Sequence, residues 1–386
     1  MEFSRIYKIK NLAEENLYRS VISINKNLEE EEKSKDQDYL TFGVKNTSDI
    51  PLSLVNKLKS NPKYLFTTVD KMSHLGRSVD TDLHNPLTYR LMTGSSSGTC
   101  VNILKGINDF GIGTDGGGSV LAPALSTNLY SFIGSGIELL TDKESLSTDE
   151  ITFNVGLGII SKDFKTLKKV SEDIIDKNMI AENKKDKETF LDINDKVNNN
   201  IELQNNNQGL KDKIRVIMPK EENLILPDKI DMRFEIDKII KDIPKEKFSF
   251  IEYDFKNVYE RKQGIEDINN IFENNLGDLI LTYEGPIDVY GYDETIQRSF
   301  KGIAEKEITS NGGKALVKAA NMCKCTGITI PGEKLASGFV IIGKKGYKGY
   351  NEAFILAEEI EKLVEKNEVF QRYFIERKKF VNPLIY

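Results

Sequence analysis

Two glycine- and serine-rich runs carry the residue types that could make and break acyl bonds. The first is Thr93-Gly94-Ser95-Ser96-Ser97-Gly98-Thr99 and the second is Gly113-Thr114-Asp115-Gly116-Gly117-Gly118-Ser119. Hydroxyls held on turns that glycine permits suit a nucleophile. Successive glycines also let neighbouring backbone N–H groups converge on one point, as a tetrahedral oxyanion requires. Read locally, the second run is equally a plain glycine turn, or a phosphate loop without the lysine of a Walker motif.

A serine nucleophile needs a base. The chain has two histidines, His74 in a polar stretch and His84 before the turn-forming Asn85-Pro86, and neither setting is diagnostic. Lys45 is the better candidate. It ends the apolar run Tyr39-Leu40-Thr41-Phe42-Gly43-Val44, which reads as a strand that buries the lysine stem and brings its tip to a sheet edge. Burial penalises the ammonium form, so such a lysine exists partly as a neutral amine able to accept a proton.

Taken together, these residues resemble the amidase signature family. Gly94-Ser95-Ser96 and Gly113-Thr114-Asp115-Gly116-Gly117-Gly118-Ser119 fall in that family's register, with Ser95 preceding Ser119 by 24 positions (119 − 95). Phe42-Gly43-Val44-Lys45-Asn46, His84-Asn85-Pro86 and Gly156-Leu157-Gly158-Ile159 are similar to further family segments. So is Ala319-Ala320-Asn321 leading through Gly327-Ile328-Thr329-Ile330-Pro331, and the likeness runs from about residue 20 to about 365. The resemblance implies a Ser-Ser-Lys triad. Ser119 would attack an amide carbonyl to form an acyl-enzyme, and Ser95, on a cis peptide, would shuttle the proton to Lys45. Backbone N–H groups of Gly116, Gly117, Gly118 and Ser119 would form the oxyanion hole.

It further implies a large mixed β-sheet covered on both faces by helices, an α/β/α fold. The expected layout is a single domain over residues 1–386 with its signature core at about 40–160. The implied activity is hydrolysis of a small-molecule or peptide amide without cofactor or metal. Two other readings stand beside it: a glutaminase like the A subunit of glutamyl-tRNA amidotransferase, and a catalytically silent amidase-fold binding protein. The sequence departs from the family pattern at Leu121, where an arginine is usual, so Asp115 is expected to lack its customary partner. Ser97 and Thr99 replace smaller residues, and the stretch from Lys45 to Ser95 is short at 50 positions (95 − 45).

The elements that must position these groups read as follows. Residues 6–32 form a helix ending in the acidic cluster Glu29-Glu30-Glu31-Glu32. Residues 159–175 form an amphipathic helix capped by Ser161, with Phe164, Leu167, Val170 and Ile174 on one face. A Lys-, Asp- and Asn-rich surface connection occupies about 177–213. Beyond it, strands at 214–218, 250–253, 279–283 and 339–342 alternate with helical patterns such as 352–365, which argues for a mostly parallel or mixed sheet. An apolar pocket is expected to draw on the 60s to 80s and on the region from Tyr283 to Tyr292.

Composition bounds the partners. A net charge of −6 with acids and bases interspersed gives no reason to expect nucleic acid or an anionic membrane. The chain shows no apolar run of about 20 residues to span a bilayer and no signal-peptide core. Three cysteines, two of them in Cys323-Lys324-Cys325, suit neither a disulfide framework nor a zinc knuckle and point to a reducing, cytoplasmic setting. Oligomeric state is left open, a homo-oligomer included.

Overall fold

Short runs of β-branched and aromatic residues, broken by turns, build one twelve-stranded sheet that threads both halves of the chain. The structure is a computed structural model that describes residues 4–147, 149–175, 213–292 and 312–376. Its strands are β1 Val21–Ile24, β2 Leu40–Lys45, β3 Tyr64–Asp70, β4 Val79–His84, β5 Leu91–Thr93, β6 Phe110–Asp115 and β7 Tyr130–Ile133. They continue with β8 Leu140–Leu146, β9 Thr152–Ser161, β10 Ile214–Pro219, β11 Phe248–Tyr253, β12 Leu279–Glu284, β13 Thr326–Pro331 and β14 Gly338–Gly343. The main path runs β1-β3-β2-β6-β9-β7-β13-β14-β12-β10-β11, with β8 added on β9, while β4 and β5 pair separately.

The sheet is mixed. β3, β2 and β6 run parallel, as do β11, β10 and β12, and antiparallel pairs from β6 through β14 join the two groups. The helices α1 Arg5–Glu15, α2 Leu28–Glu32, α3 Leu52–Ser60, α4 Ser97–Lys105, α5 Leu121–Ser126 and α6 Phe164–Ile174 come from the first half. α7 Met232–Ile240, α8 Arg261–Glu273 and α9 Tyr347–Leu363 follow. Helices cover both faces, so the central strands β6, β12, β13 and β14 are buried along their whole length. That is why these strands read as continuous apolar runs and not as alternating ones.

The four strands expected in the second half are present, each extended by one or two residues, and the last helix starts earlier, at Tyr347. Two expectations are corrected. Residues 6–32 are not one helix: α1 stops at Glu15, Tyr18 turns with φ 62°, and Val21–Ile24 forms the edge strand β1 against β3. Val21 and Ile24 are β-branched and sit at the end of the sheet, where pairing with β3 outweighs local helical spacing.

The second correction concerns residues 159–175. Ile159, Ile160 and Ser161 belong to β9, clamped between β6 and β7, and α6 begins only at Phe164. Its cap is Asp163, whose carboxylate accepts from the Thr166 N–H at 2.7 Å, whereas the Ser161 hydroxyl donates to the Asp163 carbonyl. The expected inward face of this helix holds, with Phe164, Leu167, Val170 and Ile174 all buried. The Lys/Asn-rich connection at 177–213 lies outside the described residues except for Lys213. Replacing Asp163 with Ala should cost about 1 kcal/mol of stability in urea denaturation, the usual worth of an N-cap. An unchanged midpoint would return the cap to Ser161.

Candidate active site

Lys45 is the last residue of β2 and Thr114 the penultimate residue of β6, at the carboxyl ends of two neighbouring parallel strands. Open α/β sheets bind ligands outside such ends. The Lys45 side chain is only 2% exposed. Its Nζ lies 2.7 Å from Ser95 Oγ, 2.9 Å from Thr114 Oγ1 and 3.1 Å from the Thr114 carbonyl oxygen. Burial pushes this amine down from 10.5 to about 8, against the opposing pull of Asp115 and Asp49. A neutral amine has two N–H donors and one lone pair. The Thr114 carbonyl can only accept, so one N–H of the amine is committed there, while the hydroxyls of Thr114 and Ser95 can each accept from the amine or donate to its lone pair.

Ser95 sits between β5 and α4. The Gly94–Ser95 peptide is cis, as the resemblance implied. Gly94 is needed here because a Cβ would collide with the Arg77 carbonyl oxygen. The turn is tied down on both sides: the Gly94 N–H donates to the Ser78 carbonyl at 2.6 Å, and the Ser95 carbonyl accepts from the Ser73 N–H at 3.1 Å. Just before it, the Thr93 hydroxyl donates to Asp288 at 2.7 Å, and Asp288 forms a buried ion pair with Lys314 at 2.9 Å. The atypical Ser97 has a partner of its own, since its hydroxyl donates to Asp80 at 2.5 Å and so ties α4 to β4. Thr99 packs its methyl against Gly111 of β6.

The loop after β6 carries Ser119, which is half-buried and opens onto the same cavity as Ser95 and Lys45. The Ser96 N–H donates to the Ser119 carbonyl at 3.2 Å, so the two turns are directly joined. No hydrogen bond links the hydroxyls of Ser95 and Ser119 among the described residues. Catalytic hydrogen bonds of this kind often close only when substrate is bound.

Asp115 shapes this loop. Its Oδ1 accepts from the Gly118 N–H at 2.7 Å, and its Oδ2 accepts from the N–H groups of Val120 at 2.7 Å and Leu121 at 3.4 Å. Burial raises its carboxyl above the ordinary range, while these N–H groups and the Lys45 charge pull the other way. With Leu121 in place of the usual arginine, backbone N–H groups are the donors that Asp115 has. Leu121 itself is fully buried beside Gly327 and Ile133.

The expected oxyanion donors change with it. Gly118, at φ 97° and packed against the Val317 carbonyl, spends its N–H on Asp115 and does not present it to the cavity. Gly116 and Gly117 do line the cavity. Asn321 Nδ2 donates to the Gly116 carbonyl at 3.0 Å and to the Asn154 carbonyl at 3.1 Å. A trans peptide directs its N–H opposite to its C=O, so this anchor sets the Gly117 N–H away from Asn321.

The cavity measures about 310 Å³. Met72 and Leu75 form one wall, in the region expected from sequence, with Leu75 largely exposed at the mouth. Further lining was not foreseen: it comes from Leu146, Phe153, Arg261 and Met322, and none of the described residues 283–292 lines the cavity. His74 and His84 are exposed and lie outside it. Sequence reasoning also missed Thr114, although it stood inside the quoted motif, and assigned no task to Asn321.

No family model matches the chain, and no curated protein does. Solved structures do match. An amidase aligns at 15% identity over 94% of this chain and 97% of its own, with a TM-score of 0.58. A peptide amidase from Stenotrophomonas maltophilia aligns at 12% identity over 95% of each chain, also with 0.58. Allophanate hydrolase from Kluyveromyces lactis aligns at 13% over 97% of this chain and 73% of its own, with 0.57. A glutamyl-tRNA(Gln) amidotransferase chain from Thermotoga maritima aligns at 14% over 94% of this chain and 93% of its own, with 0.56.

The Lys45 environment has a pH consequence. Its pKa is depressed by folding, so the unfolded chain holds the extra proton between about pH 8 and 10.5, and folded-state stability should rise with pH across that window. Urea unfolding near pH 7 and near pH 10 should show the native chain gaining on Lys45→Met at the higher pH. An identical pH response in both proteins would mean that Lys45 is not desolvated. The chain has the amidase-signature α/β/α fold.

Proposed function

We propose that this chain is an amide hydrolase of the amidase signature family, working through an acyl-enzyme on Ser119. The observation that carries the reading is the buried Lys45 amine, 2.7 Å from Ser95 Oγ with its other contacts taken by Thr114. In this reading the Ser119 hydroxyl gives its proton to Ser95 Oγ as the Ser95 proton passes to Lys45 Nζ. The Ser119 oxygen then bonds to the carbonyl carbon. The negative charge that develops on the carbonyl oxygen is met by N–H groups drawn from Gly116, Gly117 and Ser119. Lys45 returns the proton through Ser95 to the leaving nitrogen as the C–N bond breaks. Water then attacks the acyl ester by the same relay and releases the carboxylic acid.

Against the silent-scaffold reading, the three N–H groups on Asp115 support a loop held in order without an arginine at position 121. Three cysteines free of disulfides favour the cytoplasm as its setting, and no helix among the described residues is long and apolar enough to cross a membrane.

Ammonia release from a panel of small primary amides, glutamine included, tests the proposal. Turnover should appear for at least one amide and should rise with pH through about 8 as Lys45 loses its proton. Lys45→Ala should lose about 10²- to 10⁴-fold in kcat and Ser119→Ala about 10⁶-fold, both while staying folded. Near-native turnover in Lys45→Ala would remove the lysine from the mechanism.

A further inference from the structure

Thr93 closes β5 two residues before Ser95, and its hydroxyl donates to Asp288 Oδ2 at 2.7 Å, across 195 positions of sequence. The other carboxylate oxygen, Asp288 Oδ1, lies 2.9 Å from Lys314 Nζ. Asp288 and Lys314 are each 2% exposed, and neither they nor Thr93 line the cavity. The desolvation of two buried charges roughly offsets their attraction, so such a pair is a weak source of stability. What it does supply is direction. A carboxylate fixed on one oxygen by an ammonium presents the other to a set place, and that place is the hydroxyl beside the Ser95 turn.

The backbone around the pair reaches the other turn. The Asp288 N–H donates to the Gly312 carbonyl at 3.0 Å and the Gly285 N–H to the Gly313 carbonyl at 3.1 Å, so the segment after β12 is laced to the one that carries Lys314. Asp288 holds φ 55°, a left-handed conformation that aspartate tolerates better than most residues. From Lys314 the chain runs directly into Ala315, Leu316 and Val317, whose N–H groups are taken by Glu284 at the end of β12. A Cβ on Gly118 would meet the Val317 carbonyl oxygen at 3.0 Å, and Asn321 holds the Gly116 carbonyl. One stretch of the second half of the chain therefore touches the Ser95 turn through Thr93 and the Ser119 loop through Gly116 and Gly118.

We propose that Asp288 and Lys314 are positioning residues that set the separation of the Ser95 and Ser119 hydroxyls, a proposal that rests on the amide-hydrolase reading of the site. Lys45 already holds Ser95 Oγ from the sheet side at 2.7 Å. The handover of a proton between the two serines needs a second reference, because they stand on turns from different segments of the chain. Misplacing reacting groups by about 1 Å costs on the order of 10²-fold in rate. The link from Thr93 through Asp288 to Lys314, and on to Val317, ties both turns to one buried stretch without touching the substrate.

Thr93→Val removes the hydroxyl and leaves the charge pair intact, so it tests the link without burying a lone charge. On an amide that the native chain turns over, this variant should lose about 10- to 10²-fold in kcat with KM unchanged. The rise with pH through about 8 should stay where Lys45 sets it, and Thr93→Ser should recover most of the loss. Made in an Asp288→Asn, Lys314→Gln background shown to be folded by thermal melt, Thr93→Val should cost less than in the native chain, because the hydroxyl there has no fixed partner to lose. If that background does not fold, the two Thr93 variants decide alone. Native kcat in Thr93→Val, a loss that falls on KM, or full additivity with the pair variant would overturn the proposal. Hydrogen exchange read by mass spectrometry separates this proposal from the hydrolase reading. Backbone amides of residues 93–98 and 116–121 should exchange faster in Thr93→Val than in the native chain, whether or not any amide is hydrolysed. Faster exchange in a protein that hydrolyses no amide contradicts the hydrolase reading alone. Turnover in a protein whose two turns exchange alike with and without the Thr93 hydroxyl contradicts the role of Asp288 and Lys314 alone.

Discussion

The site depends on keeping one lysine out of water. Lys45 has long, hydrophilic reach, and on a protein surface it would be a permanently charged group with no use as a base. Here β2 carries it into the sheet, where the neighbouring strand β6 meets it in parallel register. The loss of hydration lowers its pKa, and Thr114 supplies two oxygens that can accept hydrogen bonds from the amine in either protonation state. Without those acceptors the buried nitrogen would carry an uncompensated desolvation cost. The remaining direction is taken by Ser95, so burial and hydrogen bonding together decide where a proton can go.

The loop that faces this lysine is held by groups that do not line the cavity. Asp115 collects three backbone N–H groups, Asn321 fixes the Gly116 carbonyl, and the Val317 carbonyl packs against Gly118. Glu284 in turn gathers the N–H groups of Ala315, Leu316 and Val317, so the segment that presses on the loop is itself anchored. Burial pushes the Glu284 carboxyl up to about 7, and those N–H groups oppose the shift. This arrangement explains how the chain does without an arginine at position 121. The carboxylate of Asp115 needs donors, and peptide groups of its own loop provide them. It also narrows the set of N–H groups that can serve an oxyanion, because the Gly118 donor is already used.

Much of this was legible in the sequence because it is local. The apolar run before Lys45, the spacing of Ser95 and Ser119 and the buried strands of the second half are written in consecutive residues. What escaped depends on partners far along the chain. Val21–Ile24 became a strand because β3 lies beside it, and Asp163 displaced Ser161 as a cap because β9 runs on through Ser161. Arg261 stands in an ordinary charged helix start, and nothing nearby in sequence announces that it reaches Gly117. The direction of the Gly118 N–H was equally hidden, since a glycine run shows which conformations are allowed but not where each donor points.

The central claim is that a desolvated Lys45 activates Ser119 through Ser95. The most direct measurement is the rate of covalent modification by a fluorophosphonate as a function of pH, with the adduct located by tandem mass spectrometry. The account predicts an adduct on Ser119 that forms faster as pH rises through about 8, and no such rise in Lys45→Met. An adduct on another residue, or a Ser119 rate that is the same with and without the lysine, would contradict it.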